Sequence, residues 1–409
     1  MTAPAPTAPS VAPRRRRLAP LLAALAMFGP FAIDTMFPAF PLIARDLGTS
    51  PLAMQQTLSV YLVAYALMSL VHGPLSDAIG RRRVILAGVF VFVLASIGCA
   101  LARSIEGLLA FRALQGVSAG AGLIVGRAII RDCFDGADAQ RLMSTVSMIF
   151  GVAPAIAPIV GGWVVGHAHW SMIFWLLAAF AAALLVACIA WLPETHPPQR
   201  RIALSPRAIG AGYRFVVLDR AFLPLVFAGS LGFNALFVYI ASAPVFVLEV
   251  LALDTQQFAW LFVPAIGGLM LGSFLSGRLA GRLSARHTVR LGYAIMLAAC
   301  AINITVALVL DAPRVPWSVL PIGLHSAGIG IAFPTVTLQL LDRFPHHRGG
   351  VSSLQAFVSL IASAVIAGAV SPWVSHSALG LAMTAAAVTV LGYLAWRASL
   401  STVDLSMQL

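Results

Sequence analysis

Charged residues are scarce in this chain, and lysine is missing altogether. Only 10% of the 409 residues are charged, 60% are hydrophobic, and all 26 basic residues are arginine. Soluble domains carry about 25% charged and about 45–50% apolar residues. The composition therefore excludes a water-soluble globule and a disordered chain, and the mean hydropathy of +0.93 indicates a membrane protein.

Motifs for metal, phosphate or enzymatic chemistry are also missing. No Cys-X-X-Cys pair occurs, which argues against a metal site and a disulfide framework. No phosphate-binding Gly-X4-Gly-Lys-Ser/Thr loop occurs, so the chain alone is not expected to be an ATP-driven pump. A membrane-embedded enzyme would need clustered His, Asp or Ser/Lys groups within its apolar segments, and we find none. We expect a non-enzymatic protein without a cofactor or metal. The four cysteines are Cys99, Cys133, Cys188 and Cys300.

Long apolar runs fill most of the chain. They are continuously hydrophobic rather than alternating, which favours helices over a membrane β-barrel. Twelve crossings of about 20 residues each need about 240 residues, which fits the length. We predict twelve membrane helices, called spans 1 to 12, at residues 18–43, 53–75, 84–102, 107–130, 139–165, 170–192, 221–247, 256–278, 289–310, 316–341, 350–373 and 377–397.

The arginines predict the orientation of these spans. With the N-terminus inside, 22 of them fall on the cytoplasmic side and only Arg45, Arg103 and Arg314 fall outside. This asymmetry follows the positive-inside rule, so both termini are expected in the cytoplasm, and the arginines are not read as a nucleic-acid surface. Residues 1–17 are predicted to be a disordered, basic N-terminus. The apolar run after Arg17 is too long for a signal peptide, so we interpret it as a retained first span.

A proline- and arginine-rich connection divides the spans into two sets of six. We predict an N-terminal six-helix bundle at 18–192, a cytoplasmic linker at 193–220, and a C-terminal bundle with a short tail at 221–409. The loop after span 2, residues 73–83, has a weak counterpart after span 8, residues 275–282. Two six-span halves with a duplicated loop are typical of secondary transporters.

One polar layer is predicted near the outer third of the first bundle. Asp34 is the acid that lies well inside a span, and such a carboxylate usually faces a cavity or a partner and can carry a proton. At 1.5 Å per residue, Arg112, Gln115 and Tyr61 fall within about 6 Å of its depth, and Tyr65 lies one turn deeper. A structural ion pair for Asp34 and plain packing for the two tyrosines remain alternatives.

The loop between spans 2 and 3 is the most specific local signal. Its glycines allow a tight reversal, and its charges can pair with charges at the end of span 4. Such pairs would close the cytoplasmic side in one conformation and break in another. A solvated loop is the alternative. The predicted inner gate comprises Gly73, Asp77, Gly80, Arg81, Arg131 and Asp132.

Span 5 is rich in proline and glycine. Prolines inside a membrane helix predict a bend, and small residues let another helix approach closely. We expect Pro154, Pro158, Gly161 and Gly162 to form a bend and a tight seam, with the glycines at 267, 268 and 272 of span 8 as one possible partner. Ordinary enrichment of these residues in membrane helices is the alternative.

The second half offers weaker candidates. We take Asn234 and Tyr239 of span 7 as substrate-cavity residues, together with Tyr61, Tyr65 and Gln115 of the first bundle. Polar groups in membrane helices, however, more often form helix–helix hydrogen bonds.

Several of these motifs resemble the major facilitator superfamily, in its twelve-span drug/proton antiporter branch. Residues 73–83, 112–116 and 153–162 are similar to its signatures in the loop after span 2, in span 4 and in span 5. The closer resemblance is to the bicyclomycin-resistance (Bcr/CflA) family. The segments that carry it are 33–41, 56–61, 127–132, 157–163, 170–175, 193–195, 341–346 and 350–354.

The resemblance implies a proton-driven exporter of small amphipathic compounds or antibiotics in the bacterial inner membrane. It implies two six-helix bundles that work by alternating access, with Asp34 in proton coupling, Arg112 in support of it, and Asp77 with Arg81 in the inner gate. Its partners would be a small-molecule substrate, protons and the lipid bilayer, and a monomer would suffice. A proton-coupled exporter of a metabolite such as an amino acid or short peptide remains the alternative.

Overall fold

A computed structural model describes residues 12–134, 136–201, 203–345 and 347–406. The first 11 residues of the segment predicted to be disordered therefore lie outside the described residues. Within the described chain a helix begins at Ala12, six residues before the predicted start of span 1.

The described residues are almost entirely helical, as the apolar runs predict. A single uninterrupted helix forms each of eight spans, and four spans are built from shorter pieces. The single helices are Pro51–Ile79 (span 2), Arg81–Ala100 (span 3), Gly136–His167 (span 5), Ser171–Trp191 (span 6), Ala259–Leu279 (span 8), Ala285–Val309 (span 9), Leu320–Arg343 (span 10) and Ala378–Ser406 (span 12).

The other four spans change helical pitch along their length. Span 1 is Ala12–Asp34, a 3-10 turn at Phe37–Ala39, and Phe40–Asp46. Each of the remaining three contains a π-helical turn. Span 4 is Ile105–Gly120, Ala121–Val125 and Gly126–Cys133; span 7 is Phe222–Ala241, Ala243–Val245 and Phe246–Val250; span 11 is Arg348–Val365, Ile366–Val370 and Ser371–Val374.

The twelve predicted membrane helices are confirmed. Eleven of them are, within the described residues, long and apolar enough to cross a membrane. Span 5 supplies the twelfth, because its apolar portion Gly151–His167 belongs to a continuous helix of 32 residues.

Local chemistry sets several of the helix ends. The Ser50 side chain accepts a hydrogen bond from the amide of Ala53 at 3.2 Å, with proline at the first helical position of span 2. Ser104 caps span 4 in the same way through the amide of Gly107. These caps satisfy amides that a helix N-terminus leaves unpaired. Gly80, with a φ of +104°, separates spans 2 and 3 in a conformation that favours glycine.

The spans form two six-helix bundles with the same internal neighbours. In the first bundle span 1 packs on span 5, span 2 on span 4, and span 3 on span 6. In the second bundle the equivalent pairs are spans 7 and 11, 8 and 10, and 9 and 12. This repetition makes the bundles pseudo-symmetric.

The segment between the bundles contains a helix that the sequence analysis did not predict. This connecting helix, Pro206–Val217, is only 12 residues long and contains two glycines, which are poor helix formers. Tyr213 donates a hydrogen bond to the Leu70 carbonyl of span 2 at 2.8 Å. Phe215 and Leu218 at the end of this helix are 60% and 67% exposed. The connecting helix therefore contacts span 2 of the first bundle and, through Tyr213 beside Gly350, the start of span 11 in the second bundle.

An ion pair joins the start of span 7 to the end of span 10. Arg343 Nε and Nη2 donate to the two carboxylate oxygens of Asp219 at 2.8 and 3.0 Å. Partial burial acts to raise the pKa of Asp219, but the Arg343 hydrogen bond and the Ala221 amide outweigh it and hold that pKa below its ordinary value. Two parallel charge-assisted hydrogen bonds fix both distance and orientation.

Arg343→Gln is expected to destabilise the second bundle by about 1 kcal/mol, because the pair is only partly buried. The pKa of Asp219 is lower in the folded state, so its contribution is present above the unfolded-state pKa of about 4 and is lost as the pH falls through the folded value. Thermal unfolding in detergent at pH 7 and at pH 3 should show a lower stability of Arg343→Gln than of the wild type only at pH 7. Arg286→Gln, which removes an exposed arginine, is the matched control. An equal deficit at both pH values would contradict the assignment.

Candidate functional site

The first piece of span 1 ends at Asp34, in the interior of the bundle. The Thr35 hydroxyl donates back to the Phe31 carbonyl, and the chain passes through a 3-10 turn before the second piece begins at Phe40. The Asp34 side chain is only 3% exposed. Such a break leaves backbone carbonyls of the preceding turn without helical partners.

Arg112 of span 4 supplies donors to this break. Its Nη1 donates to the Ala32 carbonyl at 3.0 Å and to Gln115 Oε1 at 2.7 Å. Its Nε donates to the Thr57 carbonyl of span 2 at 3.3 Å. A cation at a helix C-terminus is also favoured by the helix dipole. The buried guanidinium therefore joins spans 1, 2 and 4.

Asp34 and Arg112 act on each other without a direct hydrogen bond. Arg112 is the charged group that attracts the Asp34 carboxyl electrostatically. No ion pair within 4.0 Å joins the two among the described residues, and Arg112 Nη2 has no hydrogen-bond partner there. The site thus holds a carboxylic acid within electrostatic range of a guanidinium that has one unused N–H donor, and protonation of the acid would change that interaction.

Tyr61 packs against this pair. The guanidinium carbon of Arg112 lies 4.4 Å from the centre of the Tyr61 ring, and the Tyr61 hydroxyl donates to the Gly29 carbonyl at 3.1 Å. The Tyr65 ring is perpendicular to the Tyr61 ring, with centroids 6.3 Å apart. The structure therefore brings together the five residues of the predicted layer. Their functional roles stay predictions.

Sequence reasoning missed several members of this site. Gln115 Nε2 donates to Ser96 Oγ of span 3 at 2.8 Å. The carbonyls of residues 29, 32 and 57 are acceptors as well. The serine could have been found as a polar residue within span 3. The carbonyls could not, because every residue has one.

Two adjacent glycines of span 5 press against the break and the second bundle. A Cβ added to Gly161 would collide with the carbonyl oxygen of Thr35, and one added to Gly162 would collide with that of Thr255. Span 5 therefore contacts span 1 beside Asp34 and also contacts the connection between spans 7 and 8. The helix is continuous through Pro154 and Pro158.

The glycines suggested as partners of this seam face elsewhere, although spans 5 and 8 do contact each other. Gly268 and Gly272 of span 8 instead pack on the backbone of span 10, at Gly323 and Ala327, and Gly267 has open space around it. Small residues occur at both interfaces, so their presence in a sequence does not tell which two helices they join.

The predicted inner gate forms a cluster around Arg81. Its guanidinium pairs with Asp77, and its Nε lies 3.3 Å from Asp132 Oδ2. Glu194, after span 6, accepts the Arg81 amide at 2.9 Å, and the Thr195 hydroxyl donates to Asp132 at 2.8 Å. Glu194 and Thr195 were not predicted as gate members. The cluster ties the ends of spans 2, 3, 4 and 6 of one bundle. Of the remaining predicted members, Arg131 is exposed, Gly73 is half-buried and Gly80 forms the turn.

Asn234 and Tyr239 lie away from this site. The Asn234 side chain accepts from Ser363 Oγ at 2.9 Å and donates to the Ser230 carbonyl at 2.9 Å. The Tyr239 hydroxyl accepts from Asn303 Nδ2 at 2.7 Å. Both side chains therefore join helices within the second bundle.

The bundles meet at the end that carries few arginines. Gln55 Nε2 of span 2 donates at 3.3 Å to the Ala241 carbonyl and to Ser371 Oγ. Gln56 and Ser59 donate to the carbonyls of Gly368 and Ala364, each at 3.0 Å. These bonds form a polar zipper between span 2 and spans 7 and 11.

The same face of span 2 is uncovered further along. Val63 and Leu67, two and three turns beyond Gln56, are 38% and 54% exposed. The bundles are therefore in contact at the arginine-poor end and separated toward the arginine-rich end.

Two pseudo-symmetric six-helix bundles with a charged pair at a broken helix define a secondary membrane transporter. A model of the Major Facilitator Superfamily matches residues 22–367. The chain therefore belongs to the Major Facilitator Superfamily, in the branch that contains the bicyclomycin resistance proteins, and it is a multi-pass transporter of small molecules rather than an enzyme.

Individual relatives agree with this assignment. The bicyclomycin resistance protein homolog of Haemophilus influenzae is 30% identical over 386 residues, covering 92% of this chain and 94% of that protein. Multidrug resistance protein D of Escherichia coli is 28% identical over 375 residues, covering 89% and 91%. A crystal structure of a bacterial homolog of the human lysosomal transporter Spinster has the same fold, with a TM-score of 0.73, 17% identity and coverage of 97% and 98%.

Gly161→Ala should destabilise the protein by about 1–3 kcal/mol, because the added methyl group must displace the Thr35 carbonyl beside Asp34. Gly151→Ala is the matched control in the same helix, since nothing described lies within 4 Å of its added Cβ. That control should be neutral or up to about 1 kcal/mol more stable. Unfolding of the purified variants in detergent measures the difference, and equal stability of the two would disprove the close contact.

Proposed function

We propose that this protein is a proton-driven exporter of small amphipathic compounds, antibiotics among them, across the bacterial inner membrane. It works as a monomer by alternating access, with the arginine-rich end and both termini in the cytoplasm. The orientation rests on the distribution of arginines, 22 of 26 on one side.

The observation that carries proton coupling is the placement of Asp34. Its carboxyl group is buried at the break in span 1, within electrostatic range of a guanidinium that has an unused donor. The ionised acid attracts that donor, whereas the protonated acid does not. Because Arg112 also holds carbonyls of spans 1 and 2, a proton taken up by Asp34 changes the forces on three helices at once.

Movement of the break would reach the second bundle through span 5. Gly161 contacts the backbone of Thr35, and Gly162 contacts that of Thr255. A displacement of the backbone at Asp34 would therefore be transmitted to the interface between the bundles, which the polar zipper closes. Binding of substrate from the cytoplasm, opening of the zipper, and protonation of Asp34 from the outside would complete a cycle of export.

The proposed substrates come from the relatives. Two proteins similar over about nine-tenths of this chain are a bicyclomycin resistance protein homolog and a multidrug resistance protein.

The cluster around Arg81 lies at the cytoplasmic end in this orientation. Its ion pairs link the ends of four spans, so we assign it the role of an inner gate whose pairs hold these ends together in one conformation and break in another.

Asp34→Asn should abolish proton-gradient-driven efflux and leave the protein folded, because asparagine has the same shape but cannot exchange a proton. Purified protein in proteoliposomes, with an imposed pH gradient and bicyclomycin as substrate, measures this directly. Asp311→Asn removes an exposed carboxylate and should transport like the wild type.

Gradient-dependent efflux by Asp34→Asn at the wild-type rate would refute the coupling role. The same variants can be compared in overexpressing cells across a panel of small antibiotics. Unchanged antibiotic sensitivity, with release of one amino acid or short peptide, would instead support a metabolite exporter.

A further inference from the structure

We propose that the connecting helix Pro206–Val217 lies on the cytoplasmic surface of the membrane and binds anionic phospholipids there. Its two arginines hold the lipid phosphate groups, and an exposed apolar stripe on the same helix enters the boundary of the acyl chains. The inference rests on the proposed orientation of the protein and is independent of proton coupling.

One face of the connecting helix packs on both bundles. Tyr213 donates to the Leu70 carbonyl of span 2 at 2.8 Å, and its ring would lie 3.4 Å from a Cβ added to Gly350 of span 11. Val216, three residues later on the same face, is buried. Spans 2 and 11 are neighbours across the seam between the bundles, so the helix is anchored at that seam.

These anchors set the depth of the connecting helix in the membrane. Leu70 lies five residues, about 8 Å, inside the predicted cytoplasmic end of span 2. Gly350 is the first residue of the predicted span 11. Only four residues separate the end of the connecting helix from span 7, which begins at Phe222. Because the Tyr213 side chain reaches span 2 within the membrane, the helix lies at the level of the lipid headgroups.

The opposite face of the connecting helix carries an apolar stripe. Its members recur at intervals of three and four residues, which places them on one side of a helix. They are Ala208, Ala211, Phe215 and Leu218, and all four are exposed. Phe215 contacts the ring of His347, with centroids 5.1 Å apart, and is still 60% exposed. The stripe lies outside every predicted span, so a membrane crossing does not account for its exposure.

Two arginines border this stripe. Arg207 and Arg214 are two turns apart, and both are exposed. At about 100° per residue, both fall within about 40° of Leu218 around the helix axis. A short helix with Phe and Leu on one part of its surface and arginine beside them is typical of helices that lie in the membrane interface.

The charge of the linker favours anionic over zwitterionic lipid. Residues 193–220 contain five arginines and two acids. Both acids are engaged, because Glu194 lies 4.0 Å from Arg201 Nη2 and Asp219 is bound by the arginine of span 10 described above. Among the described residues no carboxylate pairs with the two arginines of the connecting helix. Guanidinium groups bind phosphate through parallel hydrogen bonds, and the anionic cytoplasmic leaflet attracts them.

Equilibrium binding of lipids to the purified full-length protein in detergent tests the headgroup preference. The probes are phosphatidylglycerol and phosphatidylcholine with identical acyl chains. The wild type should bind phosphatidylglycerol about tenfold more tightly at low salt, because each arginine near an anionic headgroup contributes up to about fivefold. High salt should weaken this preference. Equal binding of the two lipids at low salt would overturn the proposal.

Charge variants show whether the connecting helix produces the preference. Arg207→Gln with Arg214→Gln should reduce it to about twofold or less, and Arg207→Lys with Arg214→Lys should retain most of it. Arg282→Gln with Arg286→Gln, the matched control, removes two exposed arginines after span 8 at the same end of the protein and should leave the preference intact. An equal loss in both glutamine double variants, or no loss in the first, would contradict the assignment to this helix.

Variants of the stripe test what covers it. Phe215→Ser with Leu218→Ser should weaken the binding of both lipids severalfold and leave the headgroup preference unchanged, because it removes apolar contact but no charge. Wild-type lipid binding in this variant, together with loss of a dimer in light scattering, would assign the stripe to a second copy of the chain and overturn the proposal. Wild-type lipid binding without a dimer would equally contradict it.

These measurements involve neither a gradient nor transport, so they are separate from the test of proton coupling. A lipid preference that depends on Arg207 and Arg214, in a protein that shows no gradient-driven efflux, would support this inference and contradict the proposed function. Gradient-driven efflux without a lipid preference would support the proposed function and overturn this inference.

Discussion

The first bundle depends on a single guanidinium that solves two problems at once. A broken helix in the membrane interior leaves carbonyls that no water can satisfy, and a buried cation needs acceptors. Arg112 donates a hydrogen bond at 3.0 Å to the Ala32 carbonyl, near the end of the first piece of span 1. This bond gives the carbonyl a donor and the guanidinium an acceptor. Because the Thr57 carbonyl is a further acceptor, the relative positions of three spans are fixed by one side chain.

This constraint explains why the acid lies where it does. Asp34 is the last residue of the first helical piece, so the break that Arg112 stabilises also sets the position of the carboxylate. On the opposite side of the break, span 5 comes close enough to exclude a Cβ at Gly161. The next glycine along the same helix reaches the second bundle. The path from the titratable group to the other half of the molecule is therefore two backbone contacts long.

Most of the fold and part of the site could be predicted from the sequence. Twelve apolar runs gave twelve helices because lipid leaves the backbone no other way to satisfy its polar groups. Depth along the spans placed Asp34, Arg112 and Tyr61 in one layer, since a helix rises by a constant amount per residue. The cluster at Arg81 was predictable because opposite charges at neighbouring helix ends attract.

The remainder depends on interactions that leave no side-chain pattern. Three features involve only backbone atoms, which are the same in every residue: the π-helical turns, the break after Asp34, and the contact between Gly161 and Thr35. No side-chain pattern therefore predicts them. Glycines alone did not reveal that Gly268 and Gly272 of span 8 face span 10 rather than span 5. The connecting helix was missed because it is short and glycine-containing. Asn234 shows the converse, a polar residue that hydrogen-bonds within its own helix and to span 11 without being part of the site.

The polar zipper has a consequence for how the two halves of the protein can evolve. Three of its four bonds run from side chains of span 2 to backbone carbonyls, at residues 241, 364 and 368. A carbonyl acceptor survives replacement of its residue by any other that fits. The accepting positions on spans 7 and 11 thus tolerate substitutions that preserve the shape of the surface. The donor positions on span 2 are restricted to a few amino acids. Recognition between the halves is therefore encoded almost entirely in one of them.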